Sequence, residues 1–307
     1  MDRLDAMSVL VAVAENGSFS GAARKLGAPL PTVSRKISEL EARLNARLLT
    51  RTTRTLSLTD AGAAYVAASK RILEQVAEAE RAASGEYVAP RGDLVIAAPI
   101  VFGRLHVLPA VNEFLRQYPD IDVRLTLSDR NVQLVDDHID LAVRVGTLAD
   151  SGMVATRVGA LRRVVCASPG YLASAGMPKV PEDLAALSCV NFDSFTSSAA
   201  WTFSGGESGR AERRVPIHTR LAVNTAEAAV DAAIAGVGAT RVLSYQAAHA
   251  VAEGKLKILL AAYEPEPVPI NLLYVGQSLL PRKTRAFLDF VAPRIREGVA
   301  QVDAMTR

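Results

Sequence analysis

The chain has 307 residues, a net charge of +3 and a composition that is half hydrophobic, so it can bury at least one sizeable core and is not disordered. No apolar run approaches bilayer-spanning length, and MDRLDAMSVLVAVAE at the start is acidic-flanked and helically periodic, unlike a signal peptide. Cys166 and Cys189 are too few for a disulfide scaffold and have no nearby Cys or His to complete a zinc site. The expectation is a soluble, cytoplasmic protein of bacterial type with structural thiols, no metal, no membrane partner and two or more domains.

The first informative stretch runs from Ala14 to Arg54. Ser18 or Ser20 suits an N-cap, with Ala22, Ala23 and Leu26 giving a short apolar face, and Gly27 stops that helix. Ala28, Pro29, Leu30 and Pro31 make a tight turn, because a residue before proline avoids the helical region while Pro31 suits the first turn of a new helix. The second helix is expected to begin near Pro31 or Thr32. Val33, Ile37, Leu40 and Leu44 fall at helical spacing as its buried stripe and leave Thr32, Ser34, Arg35, Lys36 and Glu39 on the outer faces. This is helix-turn-helix spacing, in which the N-terminal outer positions of the second helix reach base edges in the major groove of double-stranded DNA.

Charge supports that reading. Residues 1–58 carry nine Arg or Lys against five Asp or Glu, so the basic surplus sits at this end of the chain. In RTTRTLSLT, Leu56 and Leu58 alternate with polar residues, as expected of a small two-stranded wing. Arg51, Thr52, Thr53 and Arg54 there suit phosphate contacts, which fix register and make binding salt dependent without reading sequence.

With these residues in place, Asp2 to Gly62 resembles the winged helix-turn-helix of LysR-type transcriptional regulators, matching GSFSGAARKL, TVSRKISELEARL, LLTRTTR and LSLTDAG in order. The resemblance implies DNA contacts from Ser18, Ser20, Pro29, Leu30, Pro31, Thr32, Ser34, Arg35, Lys36 and Glu39, together with the wing residues. Pro29 and Leu30 stand where the family often has a Ser-Gln pair, so the usual amide contact to a base does not carry over. Asn45 replaces the usual Gly after the helix and suits a left-handed helix end.

Thr59 and Asp60 can cap a long helix over Ala61 to Ala83, which contains no proline and should run roughly 35 Å. Tyr65, Ala68, Ile72, Val76, Ala79 and Ala83 recur every three or four places, a seam for a second helix. A dimer would present two recognition helices to half-sites about one helical turn apart, or at multiples of that. LysR-type regulators dimerise through a linker helix at this place, and the resemblance further implies dimers paired into a tetramer.

Ser84, Gly85 and YVAPRGD mark a hinge. Beyond it the expected elements alternate: strand Leu94 to Ala98, helix Gly103 to Gln117, strand Asp122 to Leu127, helix Asn131 to Asp137, then strands Leu141 to Val145 and Val164 to Ala167. WTFSGGESGRAERRVPI reads as a hairpin. Strand Leu221 to Asn224, helix Ala226 to Ala235, strand Val237 to Arg241, strand NLLYVG and a terminal helix Lys283 to Glu297 complete the series. Such alternation indicates a mostly parallel sheet covered by helices. DLAVRVG, VVCASPGYL and the segment from GVGATRVLS to EGKL are similar to the effector-binding domain of the same family. The expected fold class is thus α/β: an N-terminal all-α winged helix-turn-helix over 1–58, a linker helix over 59–88, and a two-lobed, periplasmic-binding-protein-like effector domain over 89–307. Its first lobe would be about 91–163 plus 268–307, and its second about 164–267.

Ligands bind such clefts at strand C-termini, where helix N-termini offer N–H groups. That rule nominates Pro99, Ile100, Val101 and Phe102 after the first strand, Ser128 and Asp129 after the second, Arg144, Val145, Gly146 and Thr147 near a crossover, and Asn224 with Thr225 after the later strand. The loop PIVFG lacks the Ser or Thr that related regulators place there to hold a carboxylate, which points to a more apolar effector or one held differently. Phe192, Phe195, Trp201 and Phe203 could line the second lobe, although such aromatics are more often core.

Two rivals are weaker. For an α/β enzyme, GVGAT at Gly236 to Thr240 faintly matches a dinucleotide fingerprint, but Arg241 stands at the sixth position and no acidic ribose hook is placed. A solute-binding receptor would fit the two lobes without accounting for the DNA-binding module. The expectation is a non-enzymatic regulator without a cofactor, whose small-molecule effector alters DNA geometry and contact with RNA polymerase.

Overall fold

Asp2 accepts a hydrogen bond from the Leu4 N–H and caps helix α1 (Arg3–Asn16), which Gly17 ends in the left-handed conformation. The structure is a computed structural model that describes residues 2–51, 56–83, 89–130, 134, 138–148, 153–192, 200–204, 212–276 and 280–307. It divides into two compact units, Met1–Ala89 and Pro90–Arg307.

In the first unit, Ser18 Oγ accepts from the Gly21 N–H at 3.1 Å and caps α2 (Phe19–Leu26), which ends at Gly27. Helix α3 (Leu30–Leu44) starts slightly earlier than its sequence implies. Pro29 takes the extended cap conformation, and Pro31 falls inside the first turn, where its missing N–H costs nothing. Val33, Ile37 and Leu40 are buried against α1 and α2, each such side chain contributing about 1.5–3 kcal/mol. Leu44, expected in that stripe, is 38% exposed because the core ends one turn earlier. Asn45 ends the helix at φ 49°.

Strands β1 (Leu49–Arg51) and β2 (Leu56–Leu58) pair antiparallel, Leu49 opposite Leu58 and Arg51 opposite Leu56. Thr59 Oγ1 donates to the Arg47 carbonyl and accepts from the Gly62 N–H, opening α4 (Asp60–Ala83). Gly62 is required by proximity: a Cβ there would lie 1.9 Å from the Leu48 carbonyl oxygen. Val66 joins the core and Ser69 is buried, while Tyr65 packs partly against the core and Ile72 and Ala79 remain exposed. The seam read from sequence is therefore split within this chain: its N-terminal end is packed, Ile72 and Ala79 are uncovered and Val76 is half-covered.

The second unit holds two five-stranded sheets. The first has the order β4 (Ile121–Leu127), β3 (Gly92–Ala98), β5 (Leu141–Val145), β14 (Val268–Val275), β6 (Met153–Leu161). The other runs β11 (His218–Val223), β8 (Ser188–Phe192), β12 (Ala239–Leu243), β7 (Arg163–Ala167), β13 (Lys257–Leu259), and β9 (Ala200–Phe203) pairs with β10 (Arg213–Pro216) as a separate hairpin. Each large sheet is mixed, correcting the mostly parallel expectation. Neighbours of β3 and β8 run parallel, whereas β14 and β7, which follow the two passages of the chain between the sheets, pair antiparallel on both sides.

Strand β6 was not legible in the sequence, because its burial is irregular and its register with β14 shifts at Ile270/Asn271. The helix expected from Gly103 begins at Ile100: α5 (Ile100–Phe102) runs through a π-helical turn, Gly103–Val107, into α6 (Leu108–Gln117). Helix α10 (Arg282–Met305) extends past Glu297, since Val299 and Val302 continue its buried face. Helices α7 (Pro169–Ala175), α8 (Ala226–Ile234) and α9 (Ser244–Ala252) complete the helical part, α8 capped by Thr225 Oγ1. The interval Asn131–Asp137 lies, apart from Leu134, outside the described residues, as do Ser84 and Gly85.

Phe102, Phe114, Phe287, Val291 and Ile295 centre the core of the first lobe. The second lobe has one core on each face of its sheet, Trp201 and Phe203 in one and Val164, Val242 and Ala247 in the other. GVGAT has a packing explanation. Gly236 turns the chain at φ 80°, and a Cβ on Gly238 would lie 2.3 Å from the Ser188 carbonyl oxygen, where the chain enters β12 beside β8.

Candidate functional site

The outer face of α3 is built by burial of its inner one. With Val33, Ile37 and Leu40 turned inward, helical geometry sends Pro31, Arg35 and Ser38 outward, and all three are exposed. Arg35 is central, with its side chain 66% exposed and its guanidinium 2.8 Å from Glu39 Oε1 one turn on. Pro29 and Leu30 are also exposed, while Thr32 and Ser34 are half-buried at the flanks. Ser38 was missed in the sequence reading, although its three-residue offset from Arg35 was the available signal.

The Lys36 ammonium pairs with Asp5 of α1 at 2.5 Å with its side chain 23% exposed, and so ties two helices together. Ser18 serves as the cap of α2 and Ser20 stays exposed on that helix. Glu41 turns from α3 toward the wing, where Oε1 accepts from the Leu48 and Leu49 N–H groups at 2.8 and 3.1 Å and so fixes where β1 begins. Glu15 holds Lys25 and Lys70 at 2.8 Å each, and the hydrogen bonds from Lys25 and Lys70 lower its carboxyl pKa. Arg51 ends β1, and Thr52, Thr53 and Arg54 lie outside the described residues.

The second unit contains a cleft of about 490 Å³ between its two sheets. Pro99, Ile100, Val101, Ser128, Asp129, Arg144, Val145, Thr147 and Thr225 line it, so the structure brings together nine residues nominated from strand ends. Phe192 lines it as well. Three nominated residues lie elsewhere. Phe102 is fully buried, turned inward by the helix that starts at Ile100 and packed with the His106 and Tyr245 rings. Gly146 is past the end of β5 with its N–H bonded to the Pro269 carbonyl, and Asn224 is exposed outside the cleft, one residue before the cap. Trp201 and Phe203 are core, and Phe195 lies outside the described residues.

Sequence reasoning missed Glu227, Leu243, Tyr245, Gln246 and Leu273, which reach the cleft from helix starts and strand ends distant along the chain. Asp129 Oδ1 accepts from the Ile100 N–H at 3.0 Å, and Ser128 Oγ accepts from the Arg130 N–H. Gln246 accepts from the Leu243 N–H through Oε1 and donates to the Tyr245 hydroxyl through Nε2. Burial holds that hydroxyl protonated, well above its ordinary range. Glu227, in the first turn of α8, pairs with Arg104 of the π-helical turn and so links the two lobes beside the cleft. Among the described residues, no group of three or more His, Cys, Asp or Glu is placed to hold a metal ion, and no helix is long and apolar enough to cross a membrane.

Two family models match the chain. The bacterial regulatory helix-turn-helix protein of the lysR family matches residues 4–63, and the LysR substrate binding domain matches residues 89–296. An HTH-type transcriptional regulator of Xanthomonas campestris is 36% identical over 94% of this chain and 84% of its own. Among solved structures, the LysR-type regulator CrgA of Neisseria meningitidis is 32% identical, covers 95% of this chain and 98% of its own, and gives a TM-score of 0.60. The virulence activator AphB of Vibrio cholerae is 28% identical over 95% and 99%, with a TM-score of 0.59.

Proposed function

Because the chain belongs to the LysR family of DNA-binding transcriptional regulators, we propose that the outer face of α3 reads base edges in the major groove while the wing holds phosphates. The observation that carries this reading is the exposed face formed by Pro31, Arg35 and Ser38 on a helix buried behind by Val33, Ile37 and Leu40. Arg35 is the principal base-reading side chain. Arg51 and Arg54, with Thr52 and Thr53, hold the backbone.

Helix α4 supplies a dimer contact through Ile72, Val76 and Ala79, the part of its seam that its own unit leaves uncovered or half-covered. Dimers pair into a tetramer on a cytoplasmic promoter. The effector-binding domain takes a small molecule in the cleft lined by Ser128, Asp129, Arg144, Thr225 and Tyr245. A ligand with different affinity for two lobe arrangements shifts the assembly between them, which alters DNA bending and contact with RNA polymerase. No cofactor takes part.

Genome-wide footprinting of the purified full chain tests this reading. Protected sites are expected to contain two related half-sites about one helical turn apart, or at multiples of that. Uniform protection without a shared motif would contradict it.

A further inference from the structure

The fixed charges of the cleft limit what it can hold. Among the described residues, three helix N-termini border it: two have a carboxylate of the chain beside them, and at the third, the start of α9, the Gln246 side-chain oxygen takes the Leu243 N–H. Asp129 occupies the Ile100 N–H where the helix of the first lobe begins, and Glu227 sits in the first turn of α8. N–H groups and helix dipole at such places favour an anion, and at the first two of these starts resident anions supply it. Among the described lining residues the one guanidinium, Arg144, already has a partner within the protein, and Arg104 beside the cleft is paired with Glu227. An incoming carboxylate would meet Asp129 and Glu227 without displacing either.

The remaining surface has a different character. Ile100, Leu148, Met153, Phe192, Leu243 and Leu273 form an apolar wall. Ser128 and Thr225 accept backbone N–H groups and keep their hydroxyl protons to donate, and Asp129 has a second oxygen able to accept.

We propose that the cleft takes an uncharged amphipathic molecule, with an apolar ring or chain as body and an amide, alcohol or phenol head, and that Asp129 excludes organic carboxylates. The proposal rests on the reading that the effector binds in this cleft. The head donates to Asp129 and accepts from the Ser128 or Thr225 hydroxyl, while the body lies on the apolar wall.

Matched probes separate charge from shape: benzamide against benzoate, and cyclohexanecarboxamide against cyclohexanecarboxylate, titrated on the full chain at constant ionic strength and read by calorimetry and thermal shift. In the parent the amides should bind at least ten-fold tighter than their carboxylates. In Asp129→Asn, which keeps an acceptor for the Ile100 N–H and loses the charge, that preference should shrink or reverse, and Asp129→Ser should behave likewise. Carboxylates that bind the parent as well as the amides do, a preference unchanged in both variants, or no binding of either probe class would each overturn the proposal. Thr225→Trp, at an exposed cleft position, tests the underlying reading separately. Amide binding that survives this obstruction would show that the probes bind elsewhere and would remove the cleft assignment itself.

Discussion

Arg162 and Glu264 form a two-pronged ion pair at the place where the chain passes between its two sheets. Nε and Nη2 of Arg162 each lie 2.7 Å from a Glu264 oxygen, and Nη1 also donates to the Thr306 carbonyl. Arg162 separates β6 from β7, and Glu264 lies on the returning segment between β13 and β14, so one contact joins both passages to the end of α10. Glu264→Ala should destabilise the second unit by about 1–3 kcal/mol, because it leaves a half-buried guanidinium without its carboxylate. Arg162→Lys should not recover the loss, since an ammonium cannot reproduce the planar fork. Urea unfolding of the full chain reads both.

Glu41→Ala should cost the first unit about 1–3 kcal/mol by leaving the Leu48 and Leu49 N–H groups without their acceptor. Glu41→Gln retains an acceptor oxygen and should cost less. Thermal unfolding followed by circular dichroism measures both, and DNA affinity should fall in the same order because the wing loses its fixed start.

Burial lowers the pKa of His106, which packs against the Phe102 and Tyr245 rings and lies close to Gly298. The unfolded chain takes up a proton near pH 6.5 while the folded one resists, so stability should fall as pH drops below about 6.5. His106→Leu should flatten that acid-side slope in unfolding curves recorded from pH 5 to 7.

Burial pushes both thiols up to about 12. Cys166 and Cys189 lie on strands on either side of β12, roughly 9.5 Å apart by strand spacing, beyond the reach of a disulfide. Neither should react with iodoacetamide in the native protein at pH 8, and both should react in urea, as read by mass spectrometry. As pH rises above about 9 the unfolded thiols ionise first, so the cysteine contribution to stability should decline from there toward pH 12.

The sequence made the first unit legible almost residue by residue, because its signals are local. Ser18, Gly27, Pro31 and Asn45 each state their role within a few positions. The pairing of Lys36 with Asp5 was not legible, because Asp5 is on another helix and no spacing on α3 reveals it. In the second unit the strand-end rule found Ser128, Asp129 and Thr225, which belong to turns with short-range signatures. Tyr245, Gln246 and Leu273 could not be found that way, since they reach the cleft only through the sheet order and the two passages between sheets. Phe102 was placed in the cleft because counting from the strand end ignores the helical turn that begins at Ile100.

Selection of binding sites from random DNA with the parent, Arg35→Ala and Arg51→Ala proteins, followed by salt titration of each, tests the DNA-reading assignment directly. The parent should enrich one motif in paired half-sites, and Arg35→Ala should change the preferred base at one position of each half-site. Arg51→Ala should keep the motif while weakening binding to all sequences and reducing the salt slope by about one. An unchanged motif for Arg35→Ala, or no enrichment by the parent, would contradict the assignment of α3 as the helix that reads DNA.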